Sequence, residues 1–278
     1  MTLRKALFWT IFWVSIAVIF NFGVYVSLGE QKAIEFLTGY VIEEFLSIDN
    51  LFVFLILFNY FKIPARYQRR ILNYGVAGVI ILRGLFIFLG ITLISNFHFV
   101  LYIFGVILLF SGYKIAFNKG KEVHPERNKI LKNFKKFMRT TNEPSGHHFF
   151  VKKEGHIYAT PLFVCLLIIE STDLVFAVDS IPAIFAITTD AFIVFSSNIL
   201  AVLGLRSIYF LLATIADKFE NVKKGVGFIL LYVGIKMLLP LIKPDLQIPT
   251  FISLMIILSI LAISVLLSLV LKRRRKTL

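Results

Sequence analysis

Six carboxylic acids and four bases stand inside stretches of this chain that are otherwise apolar enough to cross a lipid bilayer. The acids are Glu43, Glu44 and Asp49 in one stretch and Glu170, Asp173 and Asp179 in another; the bases are Arg83, Lys114, Arg206 and Lys236. An ionisable group at the bilayer centre costs roughly 2.5–3.5 kcal/mol on insertion scales, so groups kept there are first of all candidates for ion handling. Six acids against four bases leave a formal −2, which one divalent cation balances.

Neighbouring oxygens complete the set. Ser47, Asn50, Ser171, Thr172 and Ser180 accompany the acids, and carboxylate, amide and hydroxyl oxygens together suit Mn²⁺, Mg²⁺ or Ca²⁺. The one cysteine, Cys165, lies in an apolar run, which leaves no intrachain disulfide, CxxC couple or cysteine zinc site. No HExxH, GxSxG or P-loop motif is present, so the chain is not expected to be an enzyme. No prosthetic group is expected either; a metal ion enters as cargo. The competing reading makes these charges salt bridges that fasten a bundle. A surplus of acids fits it poorly, because an unpaired buried carboxylate destabilises.

The charges also recur in order. EEFLSIDN (43–50) places an acid, five residues, Asp and an amide, followed by Arg83 in the next helix and GYK (112–114) in the one after. DLVFAVDS (173–180) places an acid, five residues, Asp and a hydroxyl, followed by Arg206 and then GIK (234–236). Each unit holds three helices, an odd number, so the second crosses in the opposite sense to the first, an inverted repeat whose acidic helices meet near the midplane. On a helix, Glu43 and Asp49 point about 120° apart and Glu170 and Asp179 are nearly opposite. Local unwinding over 46–50 and 176–182 is therefore expected, with Pro182 freeing a carbonyl.

The elements that must carry these groups follow from composition. Of 278 residues, 58% are hydrophobic and 17% charged, and the mean hydropathy is +0.84; a water-soluble globule is excluded. A hydrocarbon core about 30 Å thick takes ~20 apolar residues per helix. Eight segments qualify, near 6–28, 37–60, 71–94, 99–117, 158–186, 191–213, 225–242 and 249–271. The fold class is an all-α polytopic membrane protein of about eight transmembrane helices with two inverted three-helix repeats. Its parts are an N-terminal helix and loop (1–36), a first repeat (37–117), a cytoplasmic loop (118–157), a second repeat (158–242), and a C-terminal helix with a basic tail (243–278).

The formal charge of +14 would point to nucleic acid in a soluble chain. Here it records sidedness, since basic residues at helix ends stay cytoplasmic. Of the 30 Lys and Arg, 24 fall on one face, and only Lys32 and Lys243 on the other. Both termini are accordingly expected in the cytoplasm, in the cell membrane of a bacterium. Residues 6–28 are too long and aromatic for a signal-peptide core and read as a retained helix. In the loop, Ile130, Leu131, Phe134, Phe137 and Met138 lie opposite Lys129, Lys132, Lys135, Lys136 and Arg139, a basic amphipathic helix suited to anionic lipid. The loop histidines His147, His148 and His156 lack compact zinc spacing.

The stretches EEFLSIDNLFVF (43–54), ESTDLVFAVDSIPAIFAITTD (170–190), NILAVLGLRSIYFLL (198–212) and YVGIKML (232–238) resemble the signature segments of the TerC family of integral membrane proteins, and the likeness covers the chain. The resemblance implies a manganese exporter akin to the wider group of lysine-exporter-like carriers. It maps the binding motif onto Glu43, Asp49, Asn50, Glu170, Asp173, Asp179 and Ser180. Glu44, Ser47, Thr172 and Asn198 rank below these. Arg83, Lys114, Arg206 and Lys236 would compensate charge when the site is empty. Three functions follow as expectations: Mn²⁺ efflux by alternating access, export of a small organic cation such as lysine, and a membrane assembly or metal-loading partner docked through the basic loop.

Overall fold

A computed structural model of the chain describes residues 3–117, 133–134, 136–141, 146–153, 155–215, 220–243 and 248–275; the side chains of 3, 49, 214–215, 220–221 and 269–275 lie outside the description. Eight long helices run through it: α1 (Leu3–Leu28), α2 (Glu30–Tyr60), α3 (Ala65–Asn96), α4 (Val100–Phe117), α5 (Pro161–Phe185), α6 (Ala191–Ile215), α7 (Glu220–Ile242) and α8 (Thr250–Arg275). Each expected segment coincides with one helix. Seven are long and apolar enough to cross a membrane by composition; α2 has the length, at 31 residues, but carries Glu43, Glu44 and Asp49 in its middle. The protein is an all-α polytopic membrane protein. The sole departure among the described residues is a hairpin, β1 (Phe150–Lys153) paired antiparallel with β2 (His156–Ala159), in the stretch before α5.

The breaks between helices have local causes. Gly29 turns the chain between α1 and α2 at φ 89°, a conformation open to glycine because it lacks a Cβ. Pro64 precedes α3, and Pro161 opens α5, where a missing N–H costs nothing. Asp190 starts α6: its Oδ1 accepts the N–H of Phe192 at 3.0 Å and of Ile193 at 3.3 Å, satisfying donors that the first helical turn leaves unpaired.

Large apolar side chains face outward. Ile19 is 70% exposed, Ile81 72% and Phe110 71%, which in water would be a liability and in hydrocarbon is the required surface. Inside, small residues bring helices into backbone contact. A Cβ on Gly112 of α4 would lie 2.7 Å from Leu231 N and 2.8 Å from Gly227 O of α7, and one on Gly227 would lie 2.5 Å from Ala116 N. Close approach of this kind replaces the hydrophobic driving force that is lost between helices in lipid.

The packing has a simple internal order. The α4–α7 pair is the most extensive, and α3 meets α6 and α2 meets α5. The α2–α6 contact is matched by α3–α5, and α4–α5 by a smaller α2–α7 contact. Exchanging α2 with α5, α3 with α6 and α4 with α7 therefore maps these contacts onto one another. Helix α1 flanks α2 and α6 from outside that set, and α8 flanks α7 and α2.

Both acidic stretches are continuous helix. Helix α2 runs unbroken through 46–50, and α5 through 176–182 with Pro182 inside it. The expected unwinding is absent. The acids are spread over different helix faces and meet different neighbours, so no single helix has to aim them all inward.

Within the 118–157 loop, 118–132, 135, 142–145 and 154 lie outside the described residues. What is described is tied to the bundle by rings. Phe134 lies 5.5 Å from Phe163 between centroids, Phe150 4.4 Å from Phe163, and Phe149 5.2 Å from Tyr74 of α3.

Candidate functional site

Among the described residues, the largest fully buried side chain is that of Arg83 on α3, 1% exposed. Its Nη1 donates to Glu43 of α2 and, at 2.7 Å, to Oδ1 of Asn198 on α6. Nε and Nη2 form a fork onto Asp173 of α5, at 3.3 Å to Oδ2 and 3.2 Å to Oδ1. One guanidinium thus joins four helices, using the planar donor array that makes Arg rather than Lys suited to buried carboxylate pairs. Asn50 adds a bond from Nδ2 to Asp173 Oδ1 at 3.1 Å, and Ser47 donates to Glu43 Oε1 at 3.1 Å.

Spacing explains the convergence. Glu43 and Asn50 are seven residues apart, two turns, and so share a face of α2; Asp173 and Ser180 do the same on α5. Those four, with Arg83 and Asn198, are all buried. Several of their polar atoms have no partner: Glu43 Oε2, Asn50 Oδ1, Ser180 Oγ and Asn198 Nδ2. Glu43, Asn50, Arg83, Asp179 and Ser180 line a cavity of about 10 Å³, closed by Leu46, Ile115, Phe176, Val226 and Leu230. That volume admits about one water-sized body.

The remaining candidates separate around this centre. Asp179 reaches the cavity from the α4 side and accepts the Ser111 hydroxyl at 2.6 Å; the Lys114 ammonium lies within electrostatic reach of it. Glu170, one turn before Asp173, has both carboxyl oxygens buried without a partner. They lie over α3, where a Cβ on Gly78 would come within 2.5 Å of them. Ser171 and Thr172 bond back to the Ile168 carbonyl at 2.9 and 2.7 Å. Glu44 points away from the cavity toward Trp13 of α1 and Gly204 of α6. The side chain of Asp49 lies outside the described residues, although its backbone is helical. Among the described residues no three of His, Cys, Asp and Glu gather as a metal cage; the Asn50 amide and Ser180 hydroxyl oxygens stand beside the carboxylates in the cavity wall.

Of the four bases expected to balance these acids, Arg83 is the one in ion-pair contact with them among the described side chains. Arg206 donates to Asn73 at 2.7 Å near the surface of α3, and Lys236 donates to Ser253 of α8 at 2.9 Å. Matching places in the two charge motifs do not fix their partners, because the helices packed around them present different neighbours. Ser111 is a residue that motif reading missed. A lone serine in an apolar helix carries little signal, and its only mark is adjacency to the GYK stretch.

Away from the centre, Lys32 of α2 bridges Asp190, before α6, at 2.9 Å and Glu35 at 3.0 Å. Partial burial opposes the charge on Lys32, but hydrogen bonds to Asp190 and Glu35 outweigh it and raise its pKa. For Asp190 burial is likewise outweighed, by Lys32 and the α6 amides, and its pKa falls.

Fold and site define a polytopic membrane protein with a buried, charge-bearing centre shared by four helices. The chain belongs to the TerC family of integral membrane proteins, whose family model matches residues 28–276. It is 42% identical over 274 residues to an uncharacterized membrane protein of Myxococcus xanthus, covering 99% of this chain and 85% of the relative. It is 45% identical over 272 residues to Alx of Escherichia coli (strain K12), provisionally named a membrane-bound redox modulator, covering 95% of this chain and 84% of that one. An uncharacterized membrane protein of Rickettsia bellii is 40% identical over 272 residues, with 98% and 89% coverage. No solved structure matches the chain.

Proposed function

We propose that this protein exports a divalent metal cation, Mn²⁺ foremost and Mg²⁺ or Ca²⁺ as alternatives, across a bacterial cell membrane. Transport proceeds by alternating access between inverted repeats, α2–α4 and α5–α7, with both termini in the cytoplasm. The observation that carries the reading is the convergence of Glu43 and Asp173, matching members of the two charge motifs, on one guanidinium beside a cavity of about 10 Å³. Packing contacts that interchange between the two three-helix units support the repeat.

In this arrangement Arg83 stands in for the cargo. Its single positive charge sits between two carboxylates, and a divalent ion that reaches Glu43 and Asp173 has to displace it. Asn198, already bonded to Arg83 Nη1, offers the guanidinium a place to remain. Asn50, Ser180 and Asp179 then present neutral and anionic oxygens from the cavity wall, and Glu170, one turn toward the basic side, is a staging carboxylate on the cytoplasmic approach. Asp49 completes the proposed set on α2.

Volume separates a bare ion from an organic cation. The cavity has room for an ion of water size, whereas a lysine molecule requires several times as much. A redox role through thiols meets a different obstacle: the chain has one cysteine, Cys165, fully buried in the apolar core. For the loop, the exposed Phe137 beside Lys136 and Arg139 favours contact with anionic lipid headgroups.

The test is flux into inverted proteoliposomes with Mn²⁺, Mg²⁺, Ca²⁺ and lysine in parallel. Mn²⁺ uptake is expected, abolished by Asp173→Asn and strongly reduced by Asp49→Asn and Asp179→Asn. Full-rate Mn²⁺ flux in all three variants, or preference for lysine, overturns the assignment.

A further inference from the structure

At the end of the bundle opposite the hairpin, a vestibule of about 310 Å³ opens among the ends of α4, α5, α7 and α8, walled in part by Tyr102, Ile187, Lys236, Met237 and Thr250. Lys236 gives one hydrogen bond to Ser253 Oγ at 2.9 Å, and that oxygen also accepts the Tyr232 hydroxyl at 2.9 Å. Among the described residues no carboxylate lies within ion-pair distance of Lys236. Among the described residues, that one neutral oxygen is the only polar partner of Lys236 and does not compensate the positive charge.

A single apolar cluster partitions this vestibule from the central cavity. Leu46, Val226 and Leu230 face the cavity, Ile187 and Met237 face the vestibule, and all five belong to the same packed group. Lys236 stands six residues beyond Leu230 on α7, about 9 Å further toward that end at 1.5 Å per residue. By the distribution of basic residues this is the extracytoplasmic end. An ion leaving the cavity outward through the partition therefore emerges beside a fixed cation, and one returning must approach it.

We propose that Lys236 guards the outer mouth: without touching the ion in the cavity, its charge weakens the outward-facing site for a returning divalent cation. The proposal rests on the divalent-cation reading. The physical basis is like-charge repulsion in a cleft with low-permittivity walls, which focus the field. A purely structural Lys236 would instead serve only to tie α7 to α8 through Ser253, and the two roles separate by charge.

The experiment measures half-saturating Mn²⁺ from each side, in right-side-out and inverted proteoliposomes, for Lys236→Arg, Lys236→Gln, Lys236→Glu and Ser253→Ala. Removing one unit charge ~10 Å from a divalent ion is expected to lower the external half-saturation about fourfold even at the permittivity of water. Lys236→Glu should lower it further, and Lys236→Arg and Ser253→Ala should leave it near the parent value. The shifts should shrink at about 0.5 M ionic strength, where the screening length falls well below ~10 Å. Half-saturation from the cytoplasmic side should not move. An external value that ignores the charge series, or that moves equally with Ser253→Ala, overturns the guard. Parent protein that carries no Mn²⁺ overturns the transport reading itself, and the guard falls with it.

Discussion

Glu43 and Asp173 occupy matching places in the two charge motifs and bind the same guanidinium, that of Arg83. Two acids from different three-helix units thereby share one base, while the base matching Arg83 in the second unit, Arg206, sits with Asn73 instead. The pair is symmetric in its acids and asymmetric in its base.

Removing that base should be costly. Arg83→Met leaves two carboxylates buried without compensation, and breaking a buried pair from one side costs about 3–5 kcal/mol. Thermal unfolding in detergent should show a large drop for Arg83→Met. The triple variant Arg83→Met, Glu43→Gln, Asp173→Asn should recover much of it while carrying no Mn²⁺. A single variant as stable as the parent would show that the guanidinium does not hold the centre together.

Glu170 gives a separate handle on the proposed transport route. Its carboxylate lies against Gly78, where a Cβ would come within 2.5 Å of the oxygens. Gly78→Ala should displace Glu170 and depress Mn²⁺ flux about as much as Glu170→Gln, with the double variant no worse than either. Additive losses would mean that the two residues act independently.

The α4–α7 contact should be intolerant of side chains. A Cβ on Gly112 meets the backbone of α7 at 2.7 Å and one on Gly227 meets Ala116 at 2.5 Å, and backbone cannot yield as a flexible side chain does. Overpacking costs typically about 1–3 kcal/mol, so Gly112→Val and Gly227→Val should lower the melting temperature more than Gly23→Val, a position open on all sides.

The Lys32–Asp190 bridge should show a bounded pH window. Asp190 is lowered in pKa by the fold, so its contribution is present above the ordinary carboxylate value, about 3.9, and is lost as pH falls through its depressed value. Lys32 is raised, so its contribution is complete below the ordinary lysine value, about 10.4, and is lost as pH rises through its elevated one. A double-mutant cycle with Lys32→Met and Asp190→Asn should therefore give a coupling that is steady between about pH 5 and 9 and fades outside it. Both side chains are 32% exposed, so its size should be at most about 1 kcal/mol.

Much of this molecule is written locally. Runs of apolar residues set the eight helices because a lipid-spanning segment must satisfy its own backbone hydrogen bonds, and the breaks at Gly29, Pro64 and Asp190 follow from single-residue chemistry. The charged stretches were visible for the same reason: an acid amid twenty apolar residues needs no neighbour to look out of place. Which acid meets which base was not local. Seven-residue spacing put Glu43 with Asn50 and Asp173 with Ser180 on single faces, but only helix packing sent Glu44 toward Trp13, brought Ser111 to Asp179, and left Arg206 and Lys236 out of ion-pair contact with the described carboxylates. The helices stay wound for the same reason: the acids do not share one destination. Pairing inside a bundle depends on crossing positions set by glycine contacts such as Gly112 with Gly227, and those distances exist only once the helices are packed.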